Sequence, residues 1–131
     1  MKLNKKVRYG LRAMIEIYKN KSSTGILQKE ISAAQEIPLK YLDSIITGLR
    51  NAGLIANYSG KSSGYVLSRS PGEISVYDIY RAFEPELCLV DCSNPSNDCN
   101  LINNCSAKDF WFEMNNKIKN SMKSFTLDQF V

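Results

Sequence analysis

Apolar residues recur at helical spacing in the first part of the chain. Residues 4–20, NKKVRYGLRAMIEIYKN, begin with Asn4, a residue type that caps helices. The segment predicts a first helix whose apolar face consists of Val7, Leu11, Met14, Ile15 and Tyr18. After the turn-rich KSSTG, residues 27–35 predict a short second helix with an apolar side made of Leu27, Ile31 and Ala34.

The most regular segment is PLKYLDSIITGLRNAG, residues 38–53, which predicts a third helix. Pro38 suits the first turn of a helix, and Gly53 suits its end. One face is apolar and consists of Leu42, Ile45, Ile46 and Leu49. The opposite face is polar and consists of Lys40, Asp43, Ser44, Thr47 and Asn51. Such a face is either ordinary solvated surface or the set of groups that contacts bases and phosphates in a major groove.

Two strand-like runs, LIANY and GYVLS, flank SGKSSG and predict a β-hairpin. The resulting order is helix, helix, tight turn, helix and hairpin. We therefore predict a mostly α fold with a small β-hairpin wing, a winged helix-turn-helix in residues 1–70 whose third helix reads DNA.

The second half, residues 71–131, predicts two more helices around a loop. SVYDIYRAFEP predicts a fourth helix with Ser75 and Asp78 as a capping pair and Pro85 as its end. SAKD, with Ser106 and Asp109, repeats the capping pattern before a long fifth helix. Its apolar stripe consists of Trp111, Met114, Ile118, Met122 and Phe125. This stripe either packs in the core or pairs with a second copy, and we favour a homodimer within one compact domain overall.

Charge divides the two halves. Residues 1–70 contain twelve Lys and Arg against four acids, a net charge of +8, whereas the remainder has a net charge of −4. A basic first half suits a polyanion such as DNA, or is a solvated lysine-rich surface. Because no apolar run approaches a membrane span and no leader is visible, we predict a cytoplasmic protein without a membrane role.

All four cysteines lie in CLVDCSNPSNDCNLINNC, at Cys88, Cys92, Cys99 and Cys105, within a predicted loop of residues 86–106. Cytosolic thiols stay reduced, so metal ligation or redox sensing is favoured over disulfides. The spacing fits paired zinc knuckles poorly, and a polar loop with longer gaps can wrap an iron–sulfur cluster. The chain has no His, which excludes His ligation and His-based catalysis, and no phosphate loop is visible. We predict that it is not an enzyme.

Six landmarks in order carry a family resemblance across essentially the whole chain. They are KVRYGLRAM, KYLDSIITGLRNAGLI, SGKSSGYVLSR, VYDIYRAFE, the three cysteines that end at SAKDFW, and FTLDQFV. The chain resembles the IscR, NsrR and CymR family of regulators (the Rrf-two family). The resemblance implies a dimeric winged-helix transcription regulator, a repressor that senses cluster status, redox state or nitric oxide. Its long C-terminal helix would cross the partner subunit, and its cysteine loop would hold an iron–sulfur cluster, with 2Fe-2S favoured and 4Fe-4S as the alternative.

By position, the resemblance implies that Cys92, Cys99 and Cys105 are three ligands, although the first gap is one residue longer than usual. The fourth ligand departs from the family. Lys108 stands where IscR-like members have a His, and Arg8 stands where NsrR-like members place an acid from the partner. Cys88 is one replacement, with Asp91, a partner-chain residue or a small thiol as alternatives. Cys88 is equally interpretable as a small buried apolar residue between two leucines.

The resemblance also implies DNA contacts at the start of the third helix and in the wing. Asp43 would accept from cytosine, or else it stabilises the helix dipole. Ser59 stands where an Arg is expected in the wing, so Lys61 would take over its contact. The full candidate set is Lys5, Arg8, Gln28, Lys40, Tyr41, Asp43, Ser44, Thr47, Ser59 and Lys61. The alternative function is a cluster-free regulator or scaffold that binds a protein partner and uses the cysteines as a zinc or thiol switch.

Overall fold

Within the part of the chain that the structure describes, the fold consists of five helices and one antiparallel hairpin, as expected from the sequence. The computed structural model describes residues 2–60, 63–90 and 104–131. The helices are α1 Lys5–Lys19, α2 Gln28–Gln35, α3 Leu39–Asn51, α4 Val76–Arg81 and α5 Lys108–Ser124. The strands are β1 Ile55–Asn57 and β2 Tyr65–Leu67, and short 3-10 turns lie at Pro71–Glu73 and Leu127–Phe130. In these ranges no helix combines the length and apolar composition of a membrane span.

The α3 helix follows its sequence pattern closely. All four residues of its apolar face are buried, and the five polar positions opposite are exposed. The helix ends at Asn51, two residues before Gly53, which has φ 76°. There the Gly53 N–H donates to the Arg50 carbonyl at 3.0 Å and the Leu54 N–H donates to the Leu49 carbonyl at 3.1 Å. These two bonds form a Schellman end, which satisfies carbonyls that the helix leaves unpaired.

The apolar faces of α1 and α2 differ from the prediction. The buried residues of α1 are Val7, Gly10, Ala13, Met14 and Ile17, while Leu11, Ile15 and Tyr18 are half-buried at the edge of the core. The face is turned because the small Gly10 allows Phe83 and Ile79 of α4 to approach the α1 backbone closely. On α2 only Ile31 is buried, whereas Leu27, at the N-cap position, and Ala34 are exposed.

The hairpin is joined to the linker between α1 and α2. Its strands pair Ile55 with Leu67 and Asn57 with Tyr65. Tyr65 also forms a bridge with Ile26, whose N–H donates to the Tyr65 carbonyl at 3.1 Å. Beside this bridge the two main chains touch, because a Cβ on Gly64 would lie 2.4 Å from the Gly25 carbonyl carbon. The base of the wing is therefore held from two sides.

The helices of the second half begin and end differently from the prediction. Ser75 and Asp78 form the expected capping box, but α4 ends at Arg81, before Pro85. The pair Ser106 and Asp109 forms no such box. Instead α5 begins after Ala107, and no side-chain bond caps its start. The chain turns into the helix at this point, where the Lys108 N–H donates to the Cys105 carbonyl at 3.3 Å.

The C-terminal tail returns to the core formed by the first half of the chain. Thr126 forms a β-bridge with Ser75, and the Leu127 N–H donates to the Ile74 carbonyl at 2.9 Å. Leu127 is only 1% exposed and packs in the same cluster as Met14 of α1. Residues from both ends of the chain thus share one hydrophobic core.

The α5 helix leaves apolar surface uncovered in the single chain. Trp111, Met114, Ile118 and Met122 are half-buried, and Phe125 is exposed. Phe110 and Phe112 add further exposed aromatic area on the same helix. Burying such groups is favourable, so this surface is available to a second copy of the chain.

Candidate nucleic-acid interface and cysteine segment

The start of α3 presents several of the predicted DNA-contact residues together. Lys40, Asp43, Ser44 and Thr47 are exposed, and Tyr41 is half-buried. The Ser44 hydroxyl donates to the Tyr41 carbonyl at 2.8 Å, and the Thr47 hydroxyl donates to the Asp43 carbonyl at the same distance. Their oxygen lone pairs and the Lys40 ammonium remain directed to solvent, where base edges and phosphates would lie.

Gln28 connects the start of α2 to the start of α3. Its side-chain amide donates to an Asp43 carboxylate oxygen, and it also donates to the Leu39 carbonyl at 3.4 Å. The second interaction is long, so the Asp43 contact is the stronger one. Since one carboxylate oxygen of Asp43 is held in this way, the other has a fixed direction and can accept from a cytosine amino group.

A cation and two aromatic rings join α1 to α3. The Lys5 ammonium lies 5.5 Å from the Tyr9 ring centroid and 5.4 Å from that of Tyr41. The two rings pack edge to face, with centroids 5.5 Å apart. Such contacts restrict the Lys5 side chain and the tilt of α3. Arg8, the neighbouring candidate on α1, is exposed.

A polar network that the sequence analysis missed fixes α2 against α1. Arg12 donates to the Gln35 side-chain oxygen at 2.9 Å and also to the Gln35 carbonyl, and its guanidinium lies 5.2 Å from the Tyr9 centroid. The Gln35 amide donates to Glu16 at 2.6 Å. Arg12 and Glu16 are four residues apart on one helix, and this spacing was the only feature of the sequence that could have indicated an interaction. Their partner on α2 depends on the tertiary packing.

The described residues of the wing hydrogen-bond to one another and to α3. The Ser59 N–H donates to the Ser63 hydroxyl at 2.8 Å, and that hydroxyl donates to the Gly60 carbonyl at 2.7 Å. Arg50 of α3 donates to the Asn57 side chain at 3.3 Å, another contact that the sequence pattern did not reveal. Ser59 is exposed near the tip, and Lys61 lies outside the described residues.

The cysteine stretch is described only at its two ends. Cys92, Cys99 and the alternative ligand Asp91 lie outside the described residues, whereas Cys88 is exposed and Cys105 is half-buried. The neighbours of Cys88 behave differently from it, since Leu87 is buried and Leu89 is half-buried. The interpretation of Cys88 as a small buried apolar residue is therefore wrong. Among the described residues, no three His, Cys, Asp or Glu side chains come together as a metal site.

Asn115 of α5 holds the backbone on both sides of Cys88. Its amide donates to the Leu87 carbonyl at 3.1 Å, and its side-chain oxygen accepts from the Leu89 N–H at 3.0 Å. The Leu87 N–H also donates to the Tyr77 hydroxyl at 3.3 Å. Leu87, Cys88 and Leu89, here called the Asn115-held segment, are therefore fixed to α4 and α5. The Cys88 thiol donates to the Val90 carbonyl at 3.0 Å.

An ion pair precedes this segment. The Lys119 ammonium lies 2.6 Å from a Glu86 carboxylate oxygen. The hydrogen bond from Lys119 lowers the pKa of Glu86, and the same bond raises the pKa of Lys119. Both shifts favour the charged pair, so the pair is present at neutral pH and is lost as acid protonates Glu86 below the ordinary carboxyl range.

These features define a class of protein, a DNA-binding regulator of transcription built on a winged helix-turn-helix. Residues 3–131 match the model of the Rrf2 family, described as an iron-dependent transcriptional regulator. The chain belongs to the Rrf2 family of transcriptional regulators, and the resemblance found in the sequence is confirmed.

Relatives and solved structures agree with this assignment. Protein rrf2 of Nitratidesulfovibrio vulgaris is 32% identical over 127 residues, which cover 97% of this chain and 85% of that protein. The transcriptional regulator IscR of Cronobacter sakazakii is 28% identical over 131 residues, covering 100% and 80%. The structure of CymR, the global cysteine regulator of B. subtilis, superposes with a TM-score of 0.77 at 30% identity, covering 98% and 94%. These relatives are regulators, which supports the prediction that the chain is not an enzyme.

Proposed function

We propose that this chain is a homodimeric, cluster-binding repressor whose DNA affinity depends on an iron–sulfur cluster in the cysteine stretch. The observation that carries the proposal is the exposed thiol of Cys88, which lies between two backbone groups held by Asn115. This thiol stands four residues before Cys92, at the start of the stretch that contains all the cysteines.

The donor set fits an iron–sulfur cluster. Four thiols within 18 residues, with no His in the chain, form an all-sulfur set, which is the usual ligation of such clusters. Cys92, Cys99 and Cys105 would be three ligands and Cys88 the fourth, with 2Fe-2S favoured and 4Fe-4S as the alternative. When bound, the cluster would supply a group that responds to oxidation or nitric oxide and links the thiolates.

The positions of the described residues support a structural connection between the cysteines and α3. Cys105 precedes α5 by a single turn, and the Asn115-held segment is bonded to the middle of the same helix. Linking the two ends of the stretch through thiolates would favour one placement of α5. Because a ligand can shift an equilibrium only by its differential affinity, the cluster must stabilise one α3 geometry more than another.

Chemical analysis of protein purified without oxygen tests the cluster. Visible absorption with iron and acid-labile sulfide determination should show stoichiometric cluster in the unaltered protein. The Cys105→Ser variant should lose it, and Cys88→Ser should retain less than about a third of the iron because one thiolate ligand is missing. The control is Asn104→Ser, an exposed change beside Cys105 that removes no thiol.

Two outcomes would count against this proposal. Colourless protein that contains zinc or no metal would contradict the cluster. Unchanged iron and sulfide in Cys88→Ser would remove only Cys88 from the ligand set and leave Asp91, a partner-chain residue or a small thiol in its place.

DNA binding is tested with a duplex that the unaltered protein selects from a random library. Replacing Lys40 and Ser44 by Ala should weaken binding by roughly tenfold and lower the dependence of log affinity on log salt by about one, because a phosphate contact is lost. The control is Lys117→Ala on α5, where Lys117 pairs with Glu113 at 3.2 Å and is 71% exposed. Undiminished binding by the Lys40 and Ser44 variant would contradict the assignment of α3 as the reading helix.

A second function is favoured by the similarity to CymR, which is described as a cysteine regulator. In that case the chain would regulate without a cluster, through a protein partner, and the cysteines would act as a zinc or thiol switch. Metal-free protein that binds the selected duplex and responds to thiol oxidation would support this alternative.

A further inference from the structure

Phe83 occupies a position that sequence reasoning did not single out. Its half-buried ring lies between α1 and α3, at the two points where each helix has a glycine. A Cβ on Gly10 would lie 2.5 Å from Phe83 Cε2, and a Cβ on Gly48 would lie 2.5 Å from Phe83 Cε1. Real Cβ contacts are longer than this, so the ring rests directly on the backbone of both helices.

The chain on either side of Phe83 leads to the cysteines. Glu84 accepts from the side chain of Asn4, the N-cap of α1, at 2.6 Å. Glu86 pairs with Lys119 of α5, and the Asn115-held segment begins at the next residue. Only three residues thus separate a ring that touches α3 from a backbone that α5 holds.

We propose that Phe83 is the positioning residue through which the Asn115-held segment sets the placement of α3 against α1, a proposal that rests on the cluster function above. A ring against a glycine has no intervening side chain whose rotation could absorb a displacement. Movement of the segment therefore reaches the α3 backbone at Gly48, next to the exposed Thr47 of the DNA-facing surface. The cluster would act on DNA affinity by this route.

Amide hydrogen exchange tests the link without cluster or DNA. Asn115→Ala frees the Asn115-held segment from α5, and should speed exchange of the α3 amides of residues 47–50 at least about fivefold relative to those of α2. In a Phe83→Leu background the same release should speed them less than about twofold, because the smaller side chain no longer transmits the movement. Asn116→Ala, an exposed neighbour on α5, is the control.

Equal acceleration of the α3 amides in both backgrounds would overturn the proposal, and so would no acceleration in either. Phe83→Met, which has a volume similar to that of Leu but an unbranched and more adaptable side chain, replaces Phe83→Leu if the latter does not fold.

Exchanging the sizes of the two contacting residues tests the contact between Phe83 and Gly48 directly. Gly48→Ala places a methyl group against the ring and should weaken binding to the selected duplex at least about tenfold, and adding Phe83→Leu should recover at least about threefold. The control is Gly72→Ala, where the new methyl would meet Asp128 Oδ2 at an ordinary 3.6 Å. Purely additive losses in the double variant would contradict the contact.

The last readout is one that a merely structural residue would not change. The ratio of duplex affinities between cluster-loaded and cluster-stripped protein should approach one in Phe83→Leu, while each variant still binds DNA. An unchanged ratio would overturn the role of Phe83 and leave the cluster function intact. If the unaltered protein holds no cluster, the cluster function fails, and the exchange and size-exchange measurements still decide the role of Phe83.

Discussion

At the residue scale, Asn115 has an importance that its residue type would not suggest. It is 8% exposed on α5, and both of its side-chain bonds go to backbone groups of the Asn115-held segment. Its neighbour Asn116 is exposed. Two adjacent residues of the same type therefore differ in how much they contribute to stability.

Asn115→Ala should lower the free energy of unfolding by about 1–3 kcal/mol, because it leaves the Leu87 carbonyl and the Leu89 N–H without their partner. Asn116→Ala should change stability by less than about 0.5 kcal/mol, as surface substitutions usually do. Urea unfolding followed by circular dichroism measures both. Similar losses in the two variants would show that the Asn115 bonds contribute little.

The exposure of Cys88 could not be predicted from the sequence. Its two leucine neighbours suggested a buried position, yet only Leu87 is buried. In an extended stretch successive side chains point to opposite sides, so burial of a residue does not extend to the next one. The exposure of Cys88 depends on the bonds from Asn115, 27 residues later, and no local pattern contains that information.

At the element scale, α3 was predicted most completely because its sequence marks both ends and both faces. The faces of α1 and α2 were less well predicted. On α1, the close approach of Phe83 and Ile79 at Gly10 turns the helix away from its most apolar direction. The missed network of Arg12, Glu16 and Gln35 has the same origin, because it forms only once α2 has packed on α1.

The turn between α2 and α3 contains a strained residue. Glu36 has φ 53°, in the left-handed region that glycine adopts at little cost. Glu36→Gly should therefore raise the free energy of unfolding by about 0.5–1 kcal/mol, whereas Gly53→Ala, at φ 76°, should lower it by about 1 kcal/mol.

Thermal and urea unfolding measure this pair of effects, with Gly72→Ala as the control. If Glu36→Gly lowers stability, the Glu36 side chain contributes more than its backbone strain costs.

At the scale of the whole molecule, the uncovered apolar surface of α5 predicts a dimer. We expect sedimentation analysis to give twice the chain mass of 14.8 kDa. Replacing Met114 and Ile118 together by Glu should produce monomers, because a charge buried at an interface without a partner is costly. Circular dichroism checks that the fold persists.

Lys117→Glu changes the charge of a neighbouring exposed position and should leave the dimer intact. Monomeric unaltered protein would contradict the assignment of the stripe.

Pairings between residues that are distant in the chain could not be predicted from the sequence. The bridge of Ile26 with Tyr65 and the contact of Gly25 with Gly64 depend on how the wing docks, and neither residue pair shares a recognisable motif. Helices, hairpin and their order were predictable because each follows a local period of hydrophobicity, whereas the groups that hold the wing and the cysteine stretch come from distant parts of the chain.

The buried position of Leu127 has a consequence for synthesis. This residue packs in the same core cluster as Met14, yet it joins the growing polypeptide only after the entire first half of the chain has been translated. A nascent chain that has not reached Leu127 has a gap in the core beneath α1, and large apolar gaps cost about 2–5 kcal/mol. The α3 helix should therefore acquire its full stability only when residue 127 leaves the ribosome, so that truncated products are poor competitors for DNA.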